Sequence, residues 1–329
     1  MWSRRLAILA AALTLVLIAA GGLVTNTDSG LACPDWPTCF GSPMPKMVGG
    51  VAVEHTHRLI ASAVGVLTVL LVVAHLGRLG ALVGFVFAPL VLFGAFWAAR
   101  VIPRTGSMPA LPAALTLLGF AGCFWALFRS SGAARLSVLA LILVLAQGLL
   151  GGATVVYRLP PTILVLHLAT SMIFLSALVV LASGRPALEG GALAWGAVAA
   201  VYLQIVIGAT VRHTGAGLVC TDLPWCRGAL WPLGVHPAVH LHMVHRAFAF
   251  VVAGLVVWNA LRLRRPLAWA AAALVGVQIA LGFATILTFK GLFTTTAHLV
   301  VAAGILACQV AMLASRAPAQ RSSLVAVPA

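Results

Sequence analysis

The chain has 329 residues, 62% of them hydrophobic and only 8% charged, with a mean hydropathy of +1.12. A soluble domain carries about 25% charged residues, so this composition excludes a soluble enzyme and describes an all-α polytopic membrane protein. The net charge of +15, from 20 basic residues against 5 acidic ones, does not indicate nucleic acid, because the bases stand at the ends of apolar runs, where anchoring and orientation explain them.

Arg4 and Arg5 precede an apolar run over residues 6–23. It can be read as a signal peptide cut near Ala19-Ala20-Gly21. It is close to the ~20 residues a span needs, however, and its removal would break the repeat described below, so it is taken as helix 1 with a cytoplasmic N-terminus. A loop over 25–52, rich in Pro and Gly, holds Cys33 and Cys39. Helix 2, over 53–77, opens on Glu54-His55-Thr56-His57-Arg58, and helical spacing puts Glu54, His57 and Arg58 on one face. Two further runs, 79–99 and 111–128, are each just long enough to span. Helices 3 to 8 follow over 136–156, 162–182, 193–211, 239–261, 267–288 and 294–314. Arg4, Arg5, Arg78, Arg129, Arg135, Arg185, Arg262, Arg264, Arg265, Arg316 and Arg321 fall on one side of this arrangement. Lys46, Arg100, Arg158, Arg212 and Lys290 fall on the other. The excess marks the first side as cytoplasmic, with both cysteine loops on the outer face of the cell membrane.

An internal repeat organises the chain. Residues 24–33 match residues 211–220, and the match runs on through Asp35/Asp222, Pro37/Pro224, Cys39/Cys226 and Gly41/Gly228. His57-Arg58 and His245-Arg246 follow at almost equal offsets. Gln147-Gly148 and Gly151-Gly152 are answered from Gln278 onward, and then His167 by His298. Each unit holds four helices, an even number, so the expected fold is two pseudo-symmetric four-helix bundles in parallel orientation. Residues 79–132 have no counterpart and form an inserted helix pair.

Four helix-mouth histidines at repeated positions suit axial ligation of haem iron by paired imidazoles across a bundle core. By depth, His57 pairs with His167 and His245 with His298. Zinc or copper would need ligands closer together in sequence. Arg58 and Arg246, each beside a ligand, suit haem propionates, with interfacial anchoring as the alternative. Glu54 is the one acid at a helix mouth and therefore a functional candidate; His242 stands in its place in the second half. His55, His236 and His240 are read as interfacial, and His75 and His213 as loop or helix-end residues. Cys33/Cys39 and Cys220/Cys226 share the spacing C-x5-C. An oxidising compartment favours a disulfide in each. For the first pair a redox-active dithiol stands as an equal alternative, while the second reads as structural. Cys123 and Cys308 pack as small hydrophobes.

Gly30-Leu31-x-Cys33-Pro34-Asp35-Trp36-Pro37-x-Cys39, Glu54-x-x-His57-Arg58 and Gln147-Gly148-x-x-Gly151-Gly152, with their second-half echoes, resemble haem A synthases over nearly the whole chain outside 79–132. The resemblance implies a membrane oxidoreductase that converts haem O to haem A, oxidising a porphyrin methyl group to a formyl group by successive hydroxylations. It implies a substrate haem between His57 and His167 in an N-terminal bundle (1–185), and a haem b cofactor between His245 and His298 in a C-terminal bundle (186–329). It also implies Glu54 as the catalytic carboxylate, Cys33/Cys39 as a pair linked to activity, and haem O synthase and cytochrome oxidase assembly factors as partners. The inserted pair departs from the family pattern. The residues agree with the asymmetry, since only the first half has an acid beside its histidine. The alternative is a non-catalytic di-haem b cytochrome exchanging electrons with quinone; a transporter built from parallel repeats is weaker.

Overall fold

Without water to satisfy it, backbone inside a lipid core must satisfy itself, and long apolar runs do so as helices. The computed structural model describes residues 2–184, 188–234 and 236–314. Among these it contains ten helices long and apolar enough to cross a membrane, and the chain is a multi-pass membrane protein. They are α1 (Trp2–Asn26), α2 (Gly49–Leu76), α3 (Arg78–Leu82) continuing through a π-helical turn (Val83–Phe87) into α4 (Ala88–Thr105), α5 (Ala110–Arg129), α6 (Gly132–Val156), α7 (Pro161–Ser183), α8 (Ala192–His213), α9 (Pro237–Leu263), α10 (Pro266–Leu287) and α11 (Leu292–Leu313). The stretch Arg78–Thr105 counts as one span. Prolines open α7, α9 and α10, where the missing N–H costs nothing because no intrahelical acceptor exists for it.

The helices close two rings. In the first, α1 packs on α2 and α7, and α6 packs on the same two. In the second, α9 and α11 each pack on both α8 and α10. The rings meet along a seam of α1, α7, α8 and α11. One apolar cluster crosses that seam, taking Ile18 from α1, Met172 and Leu175 from α7, Val201 from α8, and Leu306 from α11.

The inserted segment leaves the first ring intact. It docks on the outside, with α3 on α2 and with α4 and α5 on α6. Its own contact is made by glycines: a Cβ on Gly119 would lie 2.6 Å from the Phe87 carbonyl oxygen, and one on Gly94 2.6 Å from that of Pro112. Close backbone approach through small residues is how helices associate in lipid, where the hydrophobic effect gives no preference for helix over tail.

Two boundaries differ from expectation. The second helix starts at Gly49, a turn before the apolar run, so Glu54 and His57 lie deeper than the mouth. Hydropathy marks where lipid begins, and the helix continues beyond it. The first inserted helix runs on through Arg100 and Pro103, because a proline in the last turn disturbs only the end of the ladder. Arg185, Arg316 and Arg321 lie outside the described residues.

Replacing Gly119 by Leu is expected to cost about 1–3 kcal/mol through overpacking and to open the contact around Cys123, a buried free thiol in the cluster beneath it. Labelling by a membrane-permeant maleimide should rise several-fold at Cys123. Gly65→Leu, where nothing lies within 4 Å, should leave it unchanged.

Candidate functional site

The repeat places its four histidines at matched depth. His57 and His245 are the ninth residues of α2 and α9, and His167 and His298 the seventh of α7 and α11. At ~1.5 Å per residue all four lie in the second or third turn from one end of the molecule. Both halves share that end: at the C-terminus of α8, Arg212 Nη2 donates to Thr25 O and Asn26 Oδ1 at the C-terminus of α1, 3.2 Å each. Asn26 in turn donates to Thr296 Oγ1 near the start of α11 (2.9 Å).

Each imidazole lies against a glycine of a neighbouring helix. A Cβ on Gly21 would come 3.1 Å from His57 Cε1, on Gly208 2.9 Å from His245 Cε1, on Gly282 3.3 Å from His298 Cε1, and on Gly151 3.6 Å from His167 Cε1. An alanine would push against the ring in at least the first three places. The glycines therefore fix where the rings stand. The His245 and His298 ring centres are 6.5 Å apart with planes at 71°. Two metal–nitrogen bonds of about 2 Å, with each nitrogen about 1 Å from its own ring centre, bring two axial imidazoles to about 6 Å. The second pair thus fits a single iron between its rings.

Neighbouring polar groups hold the imidazoles and their helices in place. His298 Nδ1 is 3.1 Å from the Gln278 carbonyl, and donating there leaves Nε2 with its lone pair for a metal. Gln204 Nε2 lies 3.1 Å from His245 Nδ1 and donates to the His245 carbonyl (2.9 Å), while Gln147 Nε2 donates to that of His167 (2.8 Å). In the repeat, Leu17 stands where the second half has Gln204.

Above each pair sits a cysteine loop. Cys33–Cys39 and Cys220–Cys226 are disulfides with Cα atoms 4.8 and 4.9 Å apart. Cys39 pairs with Ser42, and Cys226 with Ala229, through two backbone bonds. The turn residues between them, Phe40-Gly41 and Arg227-Gly228, all have positive φ, the geometry that makes a glycine recur there. Asp35 ties this turn by accepting from Phe40 N (2.6 Å) and Gly41 N (2.9 Å), and Asp222 accepts from Arg227 N and Gly228 N, 3.0 Å each. Burial pushes the Asp35 carboxyl up, but hydrogen bonds from Thr38, Gly41 and Phe40, with Arg58 nearby, outweigh it and hold it below the usual carboxylate range. The Gly228 and Arg227 amides lower Asp222 likewise.

Arg58 and Arg246 face these loops. Arg58 Nη1 donates to the Asp35 (2.7 Å) and Thr38 (2.6 Å) carbonyls, and Nη2 to Glu54 Oε1 and, at 3.5 Å, to the Cys33 carbonyl. Arg246 reaches the Asp222, Trp225 and Cys220 carbonyls. Both guanidinium groups, candidates for haem propionates in the sequence, donate to loop carbonyls here, because the loops fold back over the helix mouths.

Glu54 is buried, and its Oε2 accepts from the Cys33 backbone N–H (2.8 Å). His242, in the same place, accepts from Arg246 Nε (3.3 Å). His55 is buried rather than interfacial. Its Nε2 lies 2.9 Å from the Pro43 carbonyl, and its ring nitrogen within 4.8 Å of both Cys33 and Cys39 sulfurs. No periodicity revealed this, since it depends on the loop's return path. His236 caps α9, His240 stacks on Trp231, and His213 ends α8. Loop 1 is also seated by Trp36, whose ring would be met at 2.9 Å by a Cβ on Gly152.

Fold and site together define a polytopic membrane protein made of two histidine-bearing helical units. Residues 4–310 match the family model described as cytochrome oxidase assembly protein (COX15-CtaA), and the chain belongs to this family. It is similar to proteins named haem A synthase. That of Symbiobacterium thermophilum is 30% identical over 87% of this chain and 86% of its own length. That of Halalkalibacterium halodurans is 26% identical over 92% and 93%, and that of Alkalihalophilus pseudofirmus 28% over 78% and 77%.

Asp35 contributes to its loop when ionised. Because its pKa is lowered on folding, that contribution is complete above the ordinary carboxylate value and disappears as pH falls through the lowered one. Asp35→Asn at neutral pH should cut hydrogen-exchange protection of the Phe40 and Gly41 amides about tenfold, as the loss of hydrogen bonds to a charged acceptor implies. Unchanged protection would show that the turn holds without the carboxylate.

Proposed function

We propose that this chain is a haem A synthase: a membrane oxidoreductase that takes haem O as substrate and oxidises its methyl group to a formyl group by successive hydroxylations. Family membership and the similar haem A synthases support the activity. The division of labour is read from the two halves. Residues 186–329 would hold a resident haem b through His245 and His298; the observation that supports this is their 6.5 Å ring separation between flanking glycines. A haem held there would supply one-electron redox chemistry. Residues 1–185 hold the substrate between His57 and His167, with 79–132 as an outer appendage.

Glu54 is the carboxylate of the substrate half. Each of its oxygens has one protein donor, Arg58 or the Cys33 amide, leaving a lone pair to accept a proton as the methyl group is oxidised. The second half, with His242 there, has no such acceptor. Arg58 and Arg246 act as positioning residues that seat the loops over the two sites. Cys33 and Cys39, beside the substrate half, are the pair linked to activity, and Cys220–Cys226 is structural. The basic residues support a cytoplasmic N-terminus in the cell membrane with the loops on the outer face. Haem O synthase would supply the substrate, and cytochrome oxidase assembly factors would receive the product; lipid-facing gaps between helices would admit a prenylated haem from the side.

Two outcomes follow. His245→Ala and His298→Ala should lose tightly bound haem b, while His57→Ala keeps most of it, by extraction and mass analysis of the purified protein. Equal loss from all of them, or two equal b haems in the native protein, would refute the separation. Glu54→Gln should lower haem A formation at least 100-fold, the lower end of what general acid–base assistance contributes, with haem b content unchanged. The assay is haem A production in a host lacking its own synthase. Near-normal production would leave Glu54 only its loop-holding role.

A further inference from the structure

The helices that carry or flank the second histidine pair hold buried polar atoms that have no hydrogen-bond partner among the described residues. Among them are Arg212 Nε, Thr285 Oγ1 and Thr295 Oγ1. Buried donors without partners are uncommon, and each calls for an explanation. Their positions supply one. Arg212 is four residues beyond Gly208, the glycine against His245, and Thr285 three beyond Gly282, the glycine against His298. Thr295 precedes His298 by three on α11. Such spacings keep each residue on the same helix face as its reference. All three steps run toward the end where the loops lie. Three helices therefore present a donor about one turn, ~5 Å, nearer the mouth than the ligand layer.

The first half has no such set. The repeat puts Thr25, Thr154 and Leu164 at these places, and Thr154 Oγ1 already donates to Gly151 O (2.7 Å). The guanidinium of Arg212 is half-buried and anchored at Nη2 by the end of α1. It forms no ion pair among the described residues; Asp28 is the acid whose charge reaches it. A fixed cation and two hydroxyls at one level match an anionic group with several acceptor oxygens.

We propose that Arg212, with Thr285 and Thr295, binds the propionate carboxylates of the haem held by His245 and His298. The inference rests on the reading that the second half holds a haem. It also gives that half, rather than the first, the means to retain its haem: a substrate site that must release its product lacks the cation.

The test uses full-length protein made in haem-limited cells, purified in detergent and titrated with haem b and with its dimethyl ester, whose propionates carry no charge. Wild type should bind the ester about tenfold more weakly, one charge-assisted contact being worth roughly that factor. Arg212→Thr, which installs the first-half residue, should lose about tenfold for haem b and nothing further for the ester. Thr295→Val should show the same pattern more weakly, and Arg212→Lys should recover part of the discrimination. Equal affinity of wild type for the two haems overturns the proposal, as does full discrimination in folded Arg212→Thr. If wild type takes up no haem b, or His298→Ala takes it up equally well, the underlying assignment of the second half has failed instead.

Discussion

Two guanidinium groups govern the end of the molecule where the four histidines lie. Arg58 and Arg246 each reach from a membrane helix into a disulfide loop and bind several of its carbonyls at once. A short loop has few ways to satisfy its own backbone, and carbonyls turned inward at a membrane surface need a donor. One planar cation with five donors meets that need and fixes the loop's height over the helix. The histidine that precedes each arginine is thereby set beneath a lid. Removing either arginine would leave loop carbonyls unpaired and the site uncovered, so its effects would reach beyond its own contacts.

Around this shared scaffold the halves diverge at a handful of places. Glu54 faces His242, Leu17 faces Gln204, and Thr25 faces Arg212 across the repeat. The first half carries an acid and an imidazole with no side-chain amide beside it, Leu17 standing in the place of Gln204. The second carries an amide against its imidazole and a cation at the seam. A duplicated unit can keep one half as a firm holder while the other becomes adapted for turnover, because ring packing and loop clamp are common to both. The loop seat is also complementary: Trp36 lies on Gly152, while the repeat gives Leu223 and Phe283 in their place.

Much of this was legible in the residues. Helix existence followed from apolar runs, the pairing of loops with histidines from the repeat, and the two-helix insertion from its lack of a counterpart. What was not legible depends on return paths. The arginine partners and the burial of His55 appear only once the loop folds back, because neighbours in space there are some twenty residues apart in sequence. The role of Gly21, Gly208 and Gly282 was hidden for another reason: glycine in a membrane helix usually signals helix packing, and nothing in spacing alone says that the neighbour is an imidazole ring. Arg212 was read only as an anchoring base, since burial cannot be seen from a helix end.

The two histidine pairs open at the same end of the molecule and at equal depth in their helices. An electron moved from one to the other would travel sideways, parallel to the membrane surface. Voltage across a membrane does work on charge only along its normal. Exchange between the halves would therefore move an electron across the molecule without carrying it along that normal.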